Sequence, residues 1–178
     1  STWLVITFQL KSATPIGSVF WRFFLAWLII FAWVLIKKIH LKYSMHAHRL
    51  FLFQGTFMFS INYMLTYLAE TKVSSGLVAL AFTSLIYFNM GWMKFAYKKK
   101  ITLTTISGTL LGTFGISLIF NHELQRFNFS SLTVLGILLS VAATFSASMG
   151  NWASYRVNQM KVPVIAGNFW AILYGTLF

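Results

Sequence analysis

Residues 15–38 read PIGSVFWRFFLAWLIIFAWVLIKK, and this stretch decides the fold class. Between Pro15 and Lys37 the only charged residue is Arg22. A bilayer is crossed by about 20 consecutive apolar residues in an α-helix. Pro15 suits the first turn of a helix, because the N–H that proline lacks has no partner there. The stretch therefore predicts a transmembrane helix.

Further apolar runs of similar length follow this helix, and none alternates like a strand of a membrane barrel. Two shorter runs, residues 1–10 and 164–178, fall below the length that a span needs. We therefore expect a fragment of a longer protein, an all-α polytopic transmembrane bundle with five whole helices and a truncated helix at each end. The four further complete runs are residues 50–69, 76–95, 103–120 and 132–153.

Composition and charge agree with a membrane protein. Of the 178 residues, 58% are hydrophobic and 9% charged, which excludes a disordered chain and leaves too little polar surface for a soluble domain. Most of the 14 Lys and Arg residues lie in alternate loops, so the net charge of +12 indicates topology and not a nucleic-acid partner. A specific site for anionic lipid is the alternative. The predicted cytoplasmic segments are 37–49, 94–102 and 154–162.

A weak internal repeat supports a division of the chain. Pro15 and Pro163 both open a helix, and five helices separate them, so the two copies have opposite orientation. Inverted repeats are typical of secondary transporters. We expect a first five-helix repeat at 1–120 with its first helix truncated, an external loop at 121–131, and the truncated start of a second, inverted repeat at 132–178.

Polar and aromatic residues within the predicted helices are the candidates for a solute-binding cavity, because polar groups are costly in lipid without a partner or a function. Hydrogen bonding between helices is the alternative for the Ser, Thr and Asn residues. Arg22 extends its side chain to the outer interface, binds a substrate carboxylate, or stabilises the outer half of the bundle. The candidate set is Trp3, Arg22, Asn62, Tyr63, Ser84, Asn89, Asn151 and Trp152.

The glycines of the fifth run, Gly108, Gly112 and Gly115, predict close helix packing, either within the chain or in a homodimer.

His46 and His48 are interpreted as part of a solvated basic loop, since two histidines without a third ligand make a poor metal site. We expect neither a metal nor a cofactor. Glu70 and Glu123 fall in outer loops, so no helix interior carries a carboxylate for proton transfer. Nothing in the sequence forms a nucleophile–base constellation, and we do not expect an enzyme.

Residues along the whole chain carry a family resemblance. They are Ser1–Trp3 with Phe8–Leu10, Pro15, Arg22, Asn62 and Tyr63, Tyr67–Glu70, Ser75–Ala79, the glycines of the fifth run, Gly150 and Asn151, Asn158 and Gln159, Pro163 and Val164, and Tyr174 and Gly175. This set resembles the EamA-type transporters of the drug/metabolite transporter superfamily. Many relatives have a proline near Ser84–Tyr87 and an acid where Lys98–Lys100 stands, and this chain departs from them at both places.

The resemblance implies a protein of ten helices in two inverted repeats with both termini cytoplasmic, of which this chain covers helix one to helix seven. It also implies transport of amino acids and other small metabolites. We therefore predict a secondary transporter of the bacterial inner membrane that exports small metabolites, amino-acid-like or related solutes, by alternating access. The alternative is a membrane-embedded structural or assembly subunit that does not transport.

Overall fold

The computed structural model describes residues 15–125 and 130–177, and the structured part of this chain is helical. In the part of the chain that the structure describes, three helical stretches have the length and composition to cross a membrane: Ile16–Lys37, Ser75–Phe95 and Ser131–Gln159. Two further apolar helices are shorter. The predicted fold class, an all-α polytopic membrane bundle, is confirmed. The helices are α1 Pro15–Lys37, α2 Met45–Gln54, a π-helical segment Gly55–Ile61, α3 Asn62–Glu70, α4 Ser75–Ala81, α5 Ser84–Phe95, α6 Leu103–Ile119, α7 Asn121–Gln125, α8 Ser131–Gln159 and α9 Val164–Leu177.

Side-chain hydroxyls satisfy backbone groups at several helix starts. Ser44, Ser74 and Thr102 precede α2, α4 and α6, and each side chain accepts a hydrogen bond from the N–H three residues later. Such caps satisfy donors that would otherwise lack a partner in the first helical turn.

Three boundaries differ from the sequence-based prediction. The third predicted helix starts earlier, at Met45, so His46 and His48 lie in α2 and not in a loop. The sixth predicted helix ends later than expected: α8 continues past residue 153 to Gln159 and includes Arg156. The predicted external loop 121–131 begins with the one-turn helix α7. In each case polar residues that interrupt the apolar pattern remain helical, because the backbone hydrogen bonds of a helix do not depend on hydropathy.

The fourth predicted helix is interrupted at Phe82 and Thr83, which separate α4 from α5. The hydroxyl of Thr83 donates to the carbonyl of Leu80 at 2.7 Å, and that of Ser84 donates to Ala81 at 2.7 Å. Hydroxyls that bond nearby carbonyls offer the backbone an alternative to regular helix. The break therefore occurs without the proline that many relatives carry nearby.

The chain forms two compact units. Unit I consists of Ala13–Met64 and Ser146–Phe178, and unit II includes Leu65–Phe145. The predicted division into a first repeat at 1–120, an external loop at 121–131 and an inverted second repeat at 132–178 stays a prediction.

In unit I, α9 packs against α1, α2 and the π segment. The closest approach brings Gly55 against the carbonyl of Ala171 and against Gly175: a methyl group on Gly175 would lie 2.6 Å from the carbonyl oxygen of Gly55. Only hydrogen atoms on both residues allow the backbones to come this close. The apolar core of the unit continues into α2 and the end of α8, through Ala47, Leu50, Phe51, Val157, Val162 and Ala166.

In unit II, α8 passes close to the chain that joins α3 to α4. A methyl group on Gly136 would lie 2.6 Å from a methyl carbon of Val73. Further along α8, the ring of Phe145 packs edge-on against Phe88 of α5, with 5.3 Å between ring centroids. The hydroxyl of Tyr87 lies 2.9 Å from that of Thr113 and joins α5 to α6.

The glycines expected to pack closely do not do so within the described residues. No described atom lies within 4 Å of a methyl group built on Gly108, Gly112 or Gly115. Their packing partner, whether in this chain or in a second copy, stays a prediction.

Candidate functional site

The structure places the candidate cavity residues in both units. Unit I holds Arg22, Asn62 and Tyr63, together with Asn151 and Trp152. Unit II holds the remaining two described candidates, Ser84 and Asn89. Trp3 lies outside the described residues.

Arg22 and Tyr63 are in direct contact. The guanidinium carbon of Arg22 lies 5.3 Å from the ring centroid of Tyr63, a distance at which the aromatic face attracts a cation. Phe23 holds Tyr63 from another side, with 4.7 Å between the two ring centroids in an edge-to-face arrangement. The structure thus joins two predicted site residues that are 41 positions apart in the sequence.

Arg22 has unused hydrogen-bonding capacity. Its Nη1 atom is shielded from solvent, and among the described residues it has no hydrogen-bond partner. Ser18 lies one helical turn earlier, on the same face of α1, and is 6% exposed. Within the described part of the chain its hydroxyl oxygen also lacks a partner. Buried donors without partners are rare in proteins, and each one calls for an explanation. Nothing in the sequence had drawn attention to Ser18.

The π segment immediately precedes Asn62 and changes the backbone around the site. The side-chain N–H of Asn62 donates to the carbonyl of Met58 at 3.2 Å, one turn back in the widened helix. The hydroxyl of Ser146 in α8 donates to the carbonyl of Phe57 at 2.7 Å. A neighbouring helix therefore supports the π segment directly. Short π-helical segments occur frequently at functional sites.

A cavity of about 310 Å³ lies between α1, the segment around Ser60 and the end of α9. Phe23, which contacts Tyr63, forms part of its wall, as does the hydroxyl-bearing Thr176. Its lining is mainly apolar, and its size is at the lower end of the range for ligand pockets. An apolar cavity thus lies next to the Arg22–Tyr63 pair and shares Phe23 with it.

The other candidates have separate surroundings. Trp152 contacts the ring of Phe53 at 5.7 Å and lies beneath the guanidinium of Arg156 at 5.8 Å. Ser84 uses its hydroxyl at the break between α4 and α5. Asn89 and Asn151 are half-buried, in α5 and α8 respectively. Their roles in a cavity stay predictions.

Sequence reasoning missed a polar and aromatic cluster on the predicted cytoplasmic side of unit I. Nδ1 of His48 lies 2.9 Å from the hydroxyl of Tyr174, and the imidazole packs edge-on against Trp170 at 4.7 Å. The indole N–H of Trp170 donates to the carbonyl of Leu41 at 3.1 Å. The helical spacing of His48 and Phe51 could have indicated a shared face, but the contact with α9 is not readable from sequence. The interpretation of His48 as a loop residue was wrong.

Glu70 also differs from the sequence-based expectation. It is the last residue of α3 rather than a loop residue, and it is 9% exposed. Both carboxylate oxygens are shielded from solvent and have no hydrogen-bond partner among the residues described. Burial of an unpaired carboxylate is costly. The statement that both acids lie in outer loops was therefore wrong for Glu70.

In the described part of the chain, no group of three or more His, Cys, Asp or Glu side chains is placed to hold a metal ion.

Apolar helices of membrane-spanning length, with polar side chains buried among them, define a multi-pass helical membrane protein. The sequence model of the EamA-like transporter family matches residues 1–121. The chain therefore belongs to this family of membrane transporters, as the resemblance implied. No curated protein and no solved structure matches the chain.

Proposed function

We propose that the full protein is a secondary transporter that exports a small solute with an anionic group, such as an amino acid, across the bacterial inner membrane. Family membership supports transport. The observation that carries the solute class is Arg22, whose buried Nη1 has no partner in the described residues. A guanidinium in a membrane helix recognises carboxylates well, because its N–H groups match the two carboxylate oxygens.

The surroundings of Arg22 fit an amphipathic solute. The hydroxyl of Ser18 supplies a second donor on the same face of α1. The ring of Tyr63 covers the guanidinium, and the apolar cavity lined by Phe23 offers space for a hydrophobic side chain. Binding between two repeats, with alternating exposure to the two sides, is the transport cycle that an inverted repeat would support.

The rival function, a structural or assembly subunit, explains the bond from Ser146 to Phe57 as a contact that joins helices. It does not explain why two neighbouring buried donors, those of Ser18 and Arg22, lack partners among the described residues. Family membership also favours transport over this alternative.

Proteoliposomes of the full-length protein provide the test. The probes are a panel of radiolabelled amino acids. Each is compared with its amino-acid amide, in which a neutral amide group replaces the carboxylate. We expect export of at least one amino acid well above the protein-free rate. We expect Arg22→Gln to lower this rate by about 10–100-fold through loss of charge-assisted hydrogen bonds, and to remove the preference over the amide. Arg22→Lys should retain part of the preference.

Arg156→Gln is the matched control, because Arg156 also lies over an aromatic ring but is exposed. Its flux should equal that of the unchanged protein. Protein-free rates for every solute in the panel would refute transport of this solute class. If Arg22→Gln keeps normal flux and an unchanged preference for the amino acid over its amide, the role of Arg22 is refuted, while the proposal of transport is not.

A further inference from the structure

A groove lined by lysines lies in unit II where α5 ends and α6 begins. Its volume is about 490 Å³. Its lining consists of Lys94, Lys98, Lys99, Lys100, Ile101 and Ile106. The groove is separate from the residues proposed for solute binding, and transport as proposed above does not use it.

The backbone brings these lysines together. After α5 ends at Phe95, Lys98 adopts a left-handed conformation with φ of 52°, and the N–H of Lys99 donates to the carbonyl of Met93 at 2.9 Å. The chain thus turns back over the end of α5. A left-handed backbone costs a residue other than glycine about 1 kcal/mol or more. A glycine would avoid this cost, but it would remove one of the charges of the groove.

The charge in the groove is positive and unbalanced within its own segment. Residues 94–102 contain four lysines and no acid, and all four side chains are exposed. Four like charges around one groove repel each other, and an anion bound among them relieves that repulsion. The N-terminus of α6, where Thr102 caps the N–H of Thr105, adds a positive dipole next to the lysines.

Apolar residues continue from the groove along α6. Ile106 lies in the groove wall and is 40% exposed. Leu103, three residues before it, and Leu110, four residues after it, lie on the same side of α6 by helical spacing. Leu110 is 57% exposed. An anion with an attached hydrocarbon chain would satisfy both parts of this surface, whereas a free phosphate ion would use only the lysines.

We propose that this groove binds an anionic phospholipid, with the headgroup phosphate among Lys94 and Lys98–Lys100 and an acyl chain along Ile106 and Leu110. The segment is predicted to face the cytoplasm, where anionic lipids attract basic residues near the membrane surface.

Native mass spectrometry of the full-length protein tests the proposal. The protein is released from vesicles of equal parts phosphatidylcholine and phosphatidylglycerol, and retention of the two lipids is compared. We expect selective retention of phosphatidylglycerol. Replacing Lys98, Lys99 and Lys100 together by Gln should weaken this association on the order of 100-fold, since each lysine near the surface contributes about fivefold.

A second triple variant, with Lys37, Lys38 and Lys42 replaced by Gln, is the matched control. It removes the same charge from another segment predicted to be cytoplasmic, so both variants affect topology equally. It should retain phosphatidylglycerol nearly as well as the unchanged protein. Equal losses of phosphatidylglycerol retention in the two triple variants would overturn the proposal. Retention would then depend on the net charge of the protein and not on the lysines of this groove.

Further measurements distinguish recognition of the lipid headgroup from recognition of its acyl chain, and they control for misfolding of the variants. Replacing Lys98–Lys100 by Arg should preserve retention, and Ile106→Ser should lower it several-fold without a change of charge. Inorganic phosphate at constant ionic strength should displace no lipid. Displacement by inorganic phosphate, or full retention in Ile106→Ser, would show that the groove does not recognise a lipid.

Discussion

Gly55→Ala tests the closest helix contact in unit I. The added methyl group would lie 2.8 Å from the backbone nitrogen of Gly175. Ordinary van der Waals contacts begin near 3.4 Å, so α9 must move by more than half an ångström. Because the obstacle is backbone, no side-chain rotation relieves the clash.

The expected loss of stability follows from two opposing contributions. Overpacking of this kind costs about 1–3 kcal/mol, and we expect the upper end because backbone must shift. Alanine gains about 1 kcal/mol over glycine as a helix former. The net loss is about 2 kcal/mol, which lowers the midpoint of thermal unfolding by roughly 4–8 °C.

The assay is thermal unfolding of the full-length protein in detergent, followed by tryptophan fluorescence. Gly112→Ala is the matched control, since within the described residues nothing lies within 4 Å of its added methyl group. It should leave the midpoint unchanged or raise it slightly. A Gly55→Ala protein that unfolds at or above the original temperature would refute the close crossing. An equal fall in Gly112→Ala would show that the open face of α6 is covered in the full protein.

Three smaller changes test other contacts by the same unfolding assay. Ser146→Ala removes the hydrogen bond to the carbonyl of Phe57, which keeps one backbone partner. We therefore expect the free energy of unfolding to fall by about 1 kcal/mol. An unchanged free energy of unfolding would contradict support of the π segment by α8. Tyr174→Phe removes the bond to His48 and should also cost about 1 kcal/mol, an effect that should disappear when His48 is already replaced by Phe. Lys161→Gly relieves a left-handed backbone with φ of 58° and should raise the midpoint by a few degrees; a fall would refute the assigned conformation.

The predicted helices depended on local pattern, and local pattern was sufficient for them. The apolar run after Pro15 became α1 with nearly the predicted ends, because hydropathy over about 20 residues is a property of one segment. The sequence pattern did not predict where α2 starts or where α8 ends. There the helix continues through polar residues such as His48 and Arg156, which hydropathy assigns to loops.

The glycines show where local pattern is insufficient. The small-residue spacing of Gly108 and Gly112 predicted a close helix contact, yet the described residues leave both open. Gly55 and Gly175 form the close crossing instead; Gly175 follows Gly167 and Ala171 at four-residue spacing, a pattern that the prediction of close packing did not use. A glycine permits close approach, but only the position of a second helix determines whether that approach occurs.

The candidate site also combines residues that the sequence indicated with contacts that only the packing of the helices decided. The sequence indicated Arg22 and Tyr63 separately, because a charge and a polar aromatic ring in a membrane helix need an explanation. Their contact depends on how α1 packs beside the π segment. Ser18 was missed because a single serine near a helix start has no distinguishing pattern.

The sequence by itself determined that this is a helical membrane protein, which segments form its helices, and which family it resembles. These properties follow from hydropathy and from residues at fixed spacing. Only the tertiary structure decided which polar groups find partners: it buried Ser18 beside Arg22, left the carboxylate of Glu70 unpaired among the described residues, and joined His48 to Tyr174. Burial and hydrogen bonding depend on groups far apart in the chain, and their distances are fixed only when the helices pack.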